Sequence, residues 1–95
     1  MSIIIHIPTN MKALTKNQNQ VTGHGASVME VITNIDNTYP GLKERLVDNN
    51  NIPGYLNIYL NDEDIRFTNG LSSSVKSGDT IYVLPAVAGG WILNE

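Results

Sequence analysis

Hydrophobic and polar positions alternate with a period of two near the start of the chain, which is the pattern of a β-strand. Within residues 2–8, Ile3, Ile5 and Ile7 share one face, and the opposite face is partly apolar as well. A strand that is apolar on both faces is typical of the interior of a sheet. Pro8 ends this predicted strand, because proline has no N–H to donate to a neighbouring strand.

A short return strand is predicted after a polar loop. Residues 9–19 are polar and rich in turn-forming types, so they predict a loose loop, and residues 20–22 have the composition of a short strand. Gly-His-Gly at residues 23–25 interrupts the strand pattern. This part of the chain therefore predicts a β-hairpin.

A helix is predicted next, and its first turn has a recognisable capping sequence. Ser27 and Glu30 have the spacing of a capping box, in which each side chain accepts a hydrogen bond from a backbone N–H of the first turn. The apolar residues that follow recur every three or four positions and form one stripe: Val28, Val31, Ile32 and Ile35. Tyr-Pro-Gly at residues 39–41 predicts the end of this helix, and residues 42–47 predict a further helical turn before an asparagine-rich loop at residues 48–54.

Two more strands are predicted in the second half of the chain. Residues 55–60 alternate strictly and indicate a half-buried strand, and residues 80–84 indicate the last strand, which Pro85 closes. Between them, Asn-Asp-Glu-Asp at residues 61–64 predicts a turn, and residues 65–67 predict a short continuation of the strand.

The predicted order of elements is two strands, one main helix and two strands. A helix packed across one face of a sheet buries the apolar side of both, so we expect an α+β fold with a mixed sheet of four to five strands. We expect the main contacts of the core to come from Ile5, Val31, Ile35, Ile58, Leu60, Ile81 and Val83.

Composition limits the classes of function. The 95 residues are 41% hydrophobic and 16% charged, which suits one small domain with a single core. The six Lys and Arg residues are scattered among nine acids, and this net charge of −3 argues against a nucleic-acid-binding surface. No apolar run approaches the roughly 20 residues of a membrane span, and the N-terminus lacks a signal-peptide layout, so we expect a cytoplasmic protein.

Side chains with catalytic or metal-binding chemistry are sparse. The chain has no cysteine and no Gly-Lys-Ser/Thr phosphate loop, and the two histidines, His6 and His24, have no spacing that suggests a shared metal ion. The consecutive acids Asp62, Glu63 and Asp64 could imitate a carboxylate site but are more typical of a solvated turn. We therefore expect a protein that is not an enzyme and that binds no metal ion.

The end of the chain differs in composition from the rest. Directly after the last predicted strand come small residues that add little to a core: Pro85, Ala86, Val87, Ala88, Gly89 and Gly90. This ending, together with Asn-Asp-Glu-Asp-Ile-Arg-Phe at residues 61–67, resembles the ubiquitin-like sulfur carriers of the MoaD/ThiS family, and among them the carriers of cysteine biosynthesis. The resemblance covers residues 2–90 and implies a β-grasp (ubiquitin-like) fold, which agrees with the order of elements.

The resemblance also implies a chemistry at Gly90. In the family, an E1-like enzyme uses ATP to adenylate the carboxylate of the last glycine, which is then converted to a thiocarboxylate that donates sulfur. Pro85, Ala86, Val87, Ala88 and Gly89 would lead that glycine into a channel of the partner protein. The sulfur acceptor implied here is a cysteine synthase; PLP belongs to that synthase and ATP to the E1-like enzyme, and this chain binds neither.

Five residues, Trp-Ile-Leu-Asn-Glu, follow Gly90, whereas the family's mature carriers end at the second glycine. While Trp91 is attached, Gly90 has no carboxylate to activate. The resemblance thus implies a precursor that a JAMM-type metalloprotease cuts between Gly90 and Trp91. We divide the chain into a β-grasp domain (residues 1–85), a flexible Gly-Gly tail (residues 86–90) and an extension removed on maturation (residues 91–95).

Other interpretations remain open at this point. Within the family, the chain could be the small subunit of molybdopterin synthase, whose partner is the large subunit of that enzyme. A ubiquitin-like modifier that forms isopeptide bonds with lysines, and a non-covalent interaction module that docks through its apolar end, are the alternatives from other classes. The extension could also be a cloning remnant, or mark a lineage that has lost carrier activity.

Overall fold

The structure, a computed structural model, describes residues 2–86. The strands in this part of the chain are β1 (Ser2–His6), β2 (Gln20–His24), β3 (Leu56–Leu60), β4 (Glu63–Asp64) and β5 (Thr80–Pro85). The α-helices are α1 (Val28–Thr38) and α2 (Leu42–Leu46), and single 3₁₀ helices lie at Thr9–Thr15, Ile65–Phe67 and Gly70–Ser72. The predicted order of two strands, a main helix and two strands is confirmed, and the two-residue strand β4 is added between the last two.

Residues 2–86 build one mixed sheet with the strand order β2-β1-β5-β3-β4. The central strand, β5, runs parallel to its neighbour β1, with Ile5 opposite Ile81. The β1–β2, β3–β5 and β3–β4 pairs are antiparallel. A strand from the beginning of the chain therefore lies beside a strand from its end, which is the arrangement of a β-grasp sheet.

Helix α1 packs across one face of this sheet, and its start agrees with the predicted capping box. The Ser27 hydroxyl oxygen accepts a hydrogen bond from the Glu30 N–H at 3.2 Å. The Glu30 carboxylate accepts from the N–H of Ala26 at 2.9 Å, one residue before the cap. The predicted stripe is buried along its whole length: Val28, Val31, Ile32 and Ile35.

The core lies between α1 and the sheet. Six of the residues expected there are buried: Ile5, Val31, Ile35, Ile58, Ile81 and Val83. Leu60 is only partly buried and packs against the edge of the core, because it lies at the last position of β3. Further buried residues come from both helices and the 3₁₀ segments, including Met11, Leu42, Leu46, Ile65 and Leu71.

The prediction of a loose loop at residues 9–19 is wrong for the first half of that segment. Thr9–Thr15 is a 3₁₀ helix that buries the Met11 side chain at 1% exposure. The Thr15 side chain is also buried. Its hydroxyl lies within donating distance of two backbone carbonyl oxygens, that of Lys12 at 3.2 Å and that of Gln18 at 3.0 Å. The Met11 side chain and the partly buried Leu14 attach this segment to the core, and the Thr15 hydroxyl satisfies polar backbone groups locally.

The predicted end of the return strand at residue 22 is also wrong, since β2 continues through Gly23 and His24. Gly23 is buried beneath α1, and a Cβ at this position would lie 2.6 Å from Ile35 Cγ2 and 3.0 Å from Val31 Cγ1. The glycine therefore belongs to the helix–sheet contact and not to a chain break.

The segment after β3 differs from the prediction in two respects. Asn61, with a positive φ of 58°, makes a tight turn, and Glu63 and Asp64 then pair with β3 as a two-residue edge strand. Ile65–Phe67 is a 3₁₀ helix and not a continuation of the strand. Its first residue, Ile65, is fully buried, so core packing ends the short strand there.

Candidate functional site

The small-residue segment begins at the end of the central strand β5. Pro85 lies opposite Leu56 as the last residue of the strand, and the N–H of Ala86 donates to the carbonyl oxygen of Tyr55 at 2.9 Å. The hydrogen bonding therefore continues one residue past Pro85, at which we predicted the strand to end, to the residue just before β3. The sheet itself thus fixes the position of Ala86, the last residue that the structure describes.

The remaining predicted site residues lie outside the part of the chain that the structure describes: Val87, Ala88, Gly89, Gly90 and Trp91. Of the residues predicted to lead into a partner's channel, the structure thus places Pro85, which is exposed, and Ala86, which is half-buried. The predicted mobility of the tail and the predicted cleavage between Gly90 and Trp91 stay predictions.

The face of the sheet opposite α1 is open and carries an apolar strip that leads toward Pro85. Ile4 is 40% exposed, Tyr82 36% and Leu84 46%. The His6 ring stacks on the Tyr82 ring, with centroids 4.7 Å apart and planes inclined by 14°. We call Ile4, His6, Tyr82 and Leu84 the open-face strip. Exposed apolar side chains grouped in this way are typical of surfaces that contact other proteins.

The sequence analysis named this strip only indirectly, through the apolar outer face of the first strand. A stronger signal was present in β1 and β5, where Ile4 lies between two buried isoleucines and Leu84 follows the buried Val83. When a sheet is covered by a helix on one face, its interior strands need apolar side chains on that face alone. Large apolar residues on the second face are therefore free to serve another contact.

A shallow groove lies beside the end of β5. One wall is formed by residues 82–85, and the other by residues 6–10, where the chain leaves β1 and enters the first 3₁₀ helix. Proline occupies both walls, at Pro8 and Pro85, and supplies no N–H for the addition of a further strand. The groove thus lies beside the start of the tail, and neither Pro8 nor Pro85 can donate a backbone hydrogen bond to a further strand there.

Asn61 and Asp79 fix the beginning of β5. The Asp79 carboxylate accepts hydrogen bonds from the Lys76 N–H at 3.0 Å and from the Asn61 side-chain amide at 3.2 Å, and Asn61 accepts from the Thr80 N–H at 3.1 Å. The hydrogen bond from the Lys76 N–H holds the pKa of Asp79 below its ordinary value, although partial burial acts in the opposite direction. The strand that carries the tail is therefore anchored at its start by a buried carboxylate.

The acidic cluster considered as a carboxylate site is accounted for by local structure. Asp62 and Glu63 are exposed, and the Asp64 carboxylate accepts from the Arg66 N–H at 2.9 Å, as the cap of the following 3₁₀ helix. Within residues 2–86, no group of three His, Asp or Glu side chains is placed to hold a metal ion. The three acids thus belong to an exposed turn and to the short edge strand β4 that follows it.

The histidines lie apart in the fold. His6 belongs to the open-face strip, and His24 is exposed at the end of β2, where its N–H donates to the Asn34 side chain at 2.9 Å. In the same described part of the chain, neither α-helix has the length and apolar character needed to span a membrane.

Comparison with known proteins identifies relatives along almost the whole chain. The sequence profile of the ThiS family matches residues 5–90. The chain is 40% identical over 94 residues to the sulfur carrier protein CysO of Mycobacterium tuberculosis, a match that covers 95% of this chain and all of the relative. It is 29% identical over 65 residues to small archaeal modifier protein 3 of Haloferax volcanii, which covers 68% of this chain and 71% of that protein.

A solved structure gives the same result for the fold. In the crystal structure of the BexX/CysO complex of Amycolatopsis orientalis, the matching chain superposes with a TM-score of 0.87 at 42% identity, over 93% of this chain and 99% of that one. The β-grasp fold expected from the sequence is thereby confirmed.

Proposed function

Because the chain belongs to the ThiS family, we propose that it is a sulfur carrier of cysteine biosynthesis whose reactive group is the carboxylate of Gly90. The observation that carries this proposal is the position of the Gly-Gly sequence. Only residues 86–88 separate it from the end of the central strand β5, and the family match ends at the second glycine. Similarity to proteins named sulfur carriers over the whole of their length supports the same assignment.

The chemistry runs through one substitution at the α-phosphorus of ATP and a second one at the carbonyl carbon of Gly90. A carboxylate is a poor electrophile, so an E1-like partner transfers AMP from ATP to the Gly90 carboxylate and releases pyrophosphate. A sulfur nucleophile then displaces AMP, and the product is a thiocarboxylate with sulfur in place of one oxygen. In a separate reaction, in the site of a cysteine synthase that would bind PLP, the thiocarboxylate sulfur replaces the leaving group of an activated serine, and hydrolysis of the acyl–sulfur bond returns the Gly90 carboxylate. This chain contributes the acyl group and no catalytic side chain.

The tail is suited to deliver that carbonyl into the site of another protein. Residues 86–90 span at most about 16–17 Å when extended, counted from the hydrogen-bonded Ala86. Their small side chains fit a narrow channel, and the two glycines allow partner groups to approach the backbone closely. Two residues of the open-face strip, Tyr82 and Leu84, lie on the strand that precedes the tail, so a partner that contacts them has the tail aligned with its channel.

We further propose that the 95-residue chain is a precursor. The family match leaves residues 91–95 outside, and an amide bond to Trp91 removes the carboxylate that ATP must activate. A JAMM-type zinc protease that cuts after Gly90 would produce the competent form. The zinc ion belongs to the protease, and the carrier supplies only the peptide bond that is cut.

A modifier function is the second candidate, and one observation favours it: the similarity to small archaeal modifier protein 3. Both functions require adenylation of Gly90, and they differ in the nucleophile that follows. A sulfur nucleophile gives a thiocarboxylate, whereas a lysine amine gives an isopeptide bond. The small subunit of molybdopterin synthase would share the thiocarboxylate and differ in the acceptor.

The experiment compares three proteins in parallel with the cognate E1-like enzyme, ATP and a sulfide donor: the full chain, the chain ending at Gly90, and that shorter chain with Gly90→Val. Intact mass reports the exchange of one oxygen for sulfur. We expect loading of the shorter chain alone, because Val adds bulk at the reacting end and the full chain has no carboxylate there.

Thermal unfolding of all three proteins provides the control for folding, since the substitution lies beyond the described domain. Loading of the uncut chain at the rate of the shorter one would contradict the precursor proposal. Absence of loading in every protein, with lysine-linked conjugates in host extracts, would favour the modifier.

A further inference from the structure

The Arg66 side chain makes a set of contacts that the proposed chemistry does not require. From the 3₁₀ helix at the sheet edge, one guanidinium nitrogen donates to the Asn57 side-chain oxygen. The other donates to the carbonyl oxygen of Leu56 and to that of Pro53, the latter at 3.3 Å. A planar guanidinium can bind several acceptors at once in a fixed geometry, which an ammonium group cannot reproduce.

These acceptors belong to the segment that holds the base of the tail. Pro53 and Leu56 close a turn, in which the Leu56 N–H donates to the Pro53 carbonyl oxygen at 3.1 Å. Tyr55 lies inside this turn, and its carbonyl oxygen accepts the hydrogen bond from Ala86. The orientation of that carbonyl group thus depends on what fixes the turn.

The Arg66 contacts also reach the strand pair next to the tail. Asn57 lies opposite Leu84 and Leu56 lies opposite Pro85, so the guanidinium binds β3 at the positions that face the last two residues of β5. The Pro53–Leu56 turn is also held by a second side-chain hydrogen bond, in which the Tyr55 hydroxyl donates to the Arg45 carbonyl oxygen at 3.1 Å. The side chain of Arg45 itself makes none of the hydrogen bonds found within residues 2–86.

We propose that Arg66 is a positioning residue: by fixing the Pro53–Leu56 turn it holds the Tyr55–Ala86 hydrogen bond and thereby sets the direction in which the tail leaves the sheet. The consequence for loading rests on the proposed function. A tail that leaves in a fixed direction loses less conformational freedom on entering a partner's channel, and its carbonyl meets the reacting groups more often in the productive orientation.

The first measurement needs no partner protein. Amide hydrogen exchange is followed by NMR in the parent chain, in Arg66→Gln and in Arg45→Gln, which removes the same charge from an exposed arginine. We expect exchange of the Ala86 amide to be about three- to tenfold faster in Arg66→Gln, since a local hydrogen-bonded unit opens more often. The Ile58 amide, in the middle of β3, should keep its exchange rate in all three proteins.

A second variant, Asn57→Ala, removes one acceptor of the guanidinium and leaves Arg66 in place. It should increase Ala86 exchange in the same direction but less. Unchanged Ala86 exchange in Arg66→Gln, with the guanidinium bonds removed, would overturn the proposal. So would equal acceleration in Arg45→Gln, because the effect would then come from charge and not from the contacts.

The second measurement is loading of the same variants, each ending at Gly90. We expect Arg66→Gln to lower kcat/KM for adenylation about three- to tenfold while Arg45→Gln matches the parent. Faster Ala86 exchange with unchanged kcat/KM would show that the direction of the tail does not matter for loading, and would overturn that part of the proposal. If the parent chain itself is not loaded, the proposed function fails, and the exchange data still decide whether Arg66 holds Ala86.

Discussion

A Cβ atom on Gly23 would lie 2.6 Å from the Cγ2 atom of Ile35, so β2 and α1 approach each other more closely than a larger residue permits. We expect Gly23→Ala to lower the free energy of unfolding by about 1–3 kcal/mol, because the helix must shift to make room. Urea unfolding measures the change. Gly54→Ala is the matched control, since a Cβ there would meet nothing within 4 Å. Equal effects of the two substitutions would contradict the tight contact.

The core should respond to truncation according to burial. Ile58 in the middle of β3 is fully buried, and Ile58→Ala should cost about 2–5 kcal/mol of unfolding free energy. Leu60, two residues along the same strand, is only partly buried, so Leu60→Ala should cost clearly less. Thermal and urea unfolding of both variants test this order, and a reversed order would mean that the register of β3 is assigned wrongly.

Acid should weaken the fold through Asp79. Since the folded-state pKa of this carboxyl lies below its ordinary value of about 3.9, ionised Asp79 stabilises the fold above that pH. This contribution is lost as the pH falls through the folded-state pKa, so stability should decline below about pH 4.

Asp79→Asn removes that titration. We expect a loss of about 1–2 kcal/mol at pH 7, because the Asn side chain cannot accept from both Lys76 and Asn61, and a shallower decline between pH 4 and pH 2. Urea unfolding as a function of pH gives both quantities. An acid profile identical to that of the parent chain would exclude Asp79 as its source.

Substitutions at two residues of the Ile65–Phe67 3₁₀ helix should change the free energy of unfolding by very different amounts. Phe67 is 84% exposed, so Phe67→Ser should change the free energy of unfolding by no more than about 0.5 kcal/mol. Ile65 is fully buried, and Ile65→Ser should cost several kcal/mol because it both removes apolar contact and buries a hydroxyl. Comparable unfolding midpoints for the two variants would contradict the orientation of this helix.

The elements that the sequence predicted well are those with a regular period. In α1, the spacing of Val28, Val31, Ile32 and Ile35 and the cap at Ser27 gave both the buried face and the first residue of the helix. In β1 and β3, alternation gave the face that packs on α1. These signals are local, because every residue of the repeat lies within one element.

Elements held by distant contacts were predicted poorly. Met11 buries its side chain from a 3₁₀ helix, and the apolar residues of this polar stretch are too few to show a period. Gly23 has the composition of a chain break, and its role depends on Ile35 twelve residues later. For the site, composition and resemblance indicated the tail. The Tyr55–Ala86 hydrogen bond and the contacts of Arg66 with the Pro53–Leu56 turn could not be predicted, because they depend on pairings between β3, β4 and β5.

The parallel pairing of β1 with β5 has a consequence for synthesis on the ribosome. The first strand to emerge cannot find its central neighbour until Thr80–Pro85 has been translated, so the sheet closes only when nearly the whole chain has left the exit tunnel. A polypeptide released early by a stalled ribosome lacks both this strand and the glycines that follow it. Synthesis of the last strand and synthesis of the glycine-containing segment therefore coincide, and a chain released before Thr80 contains neither.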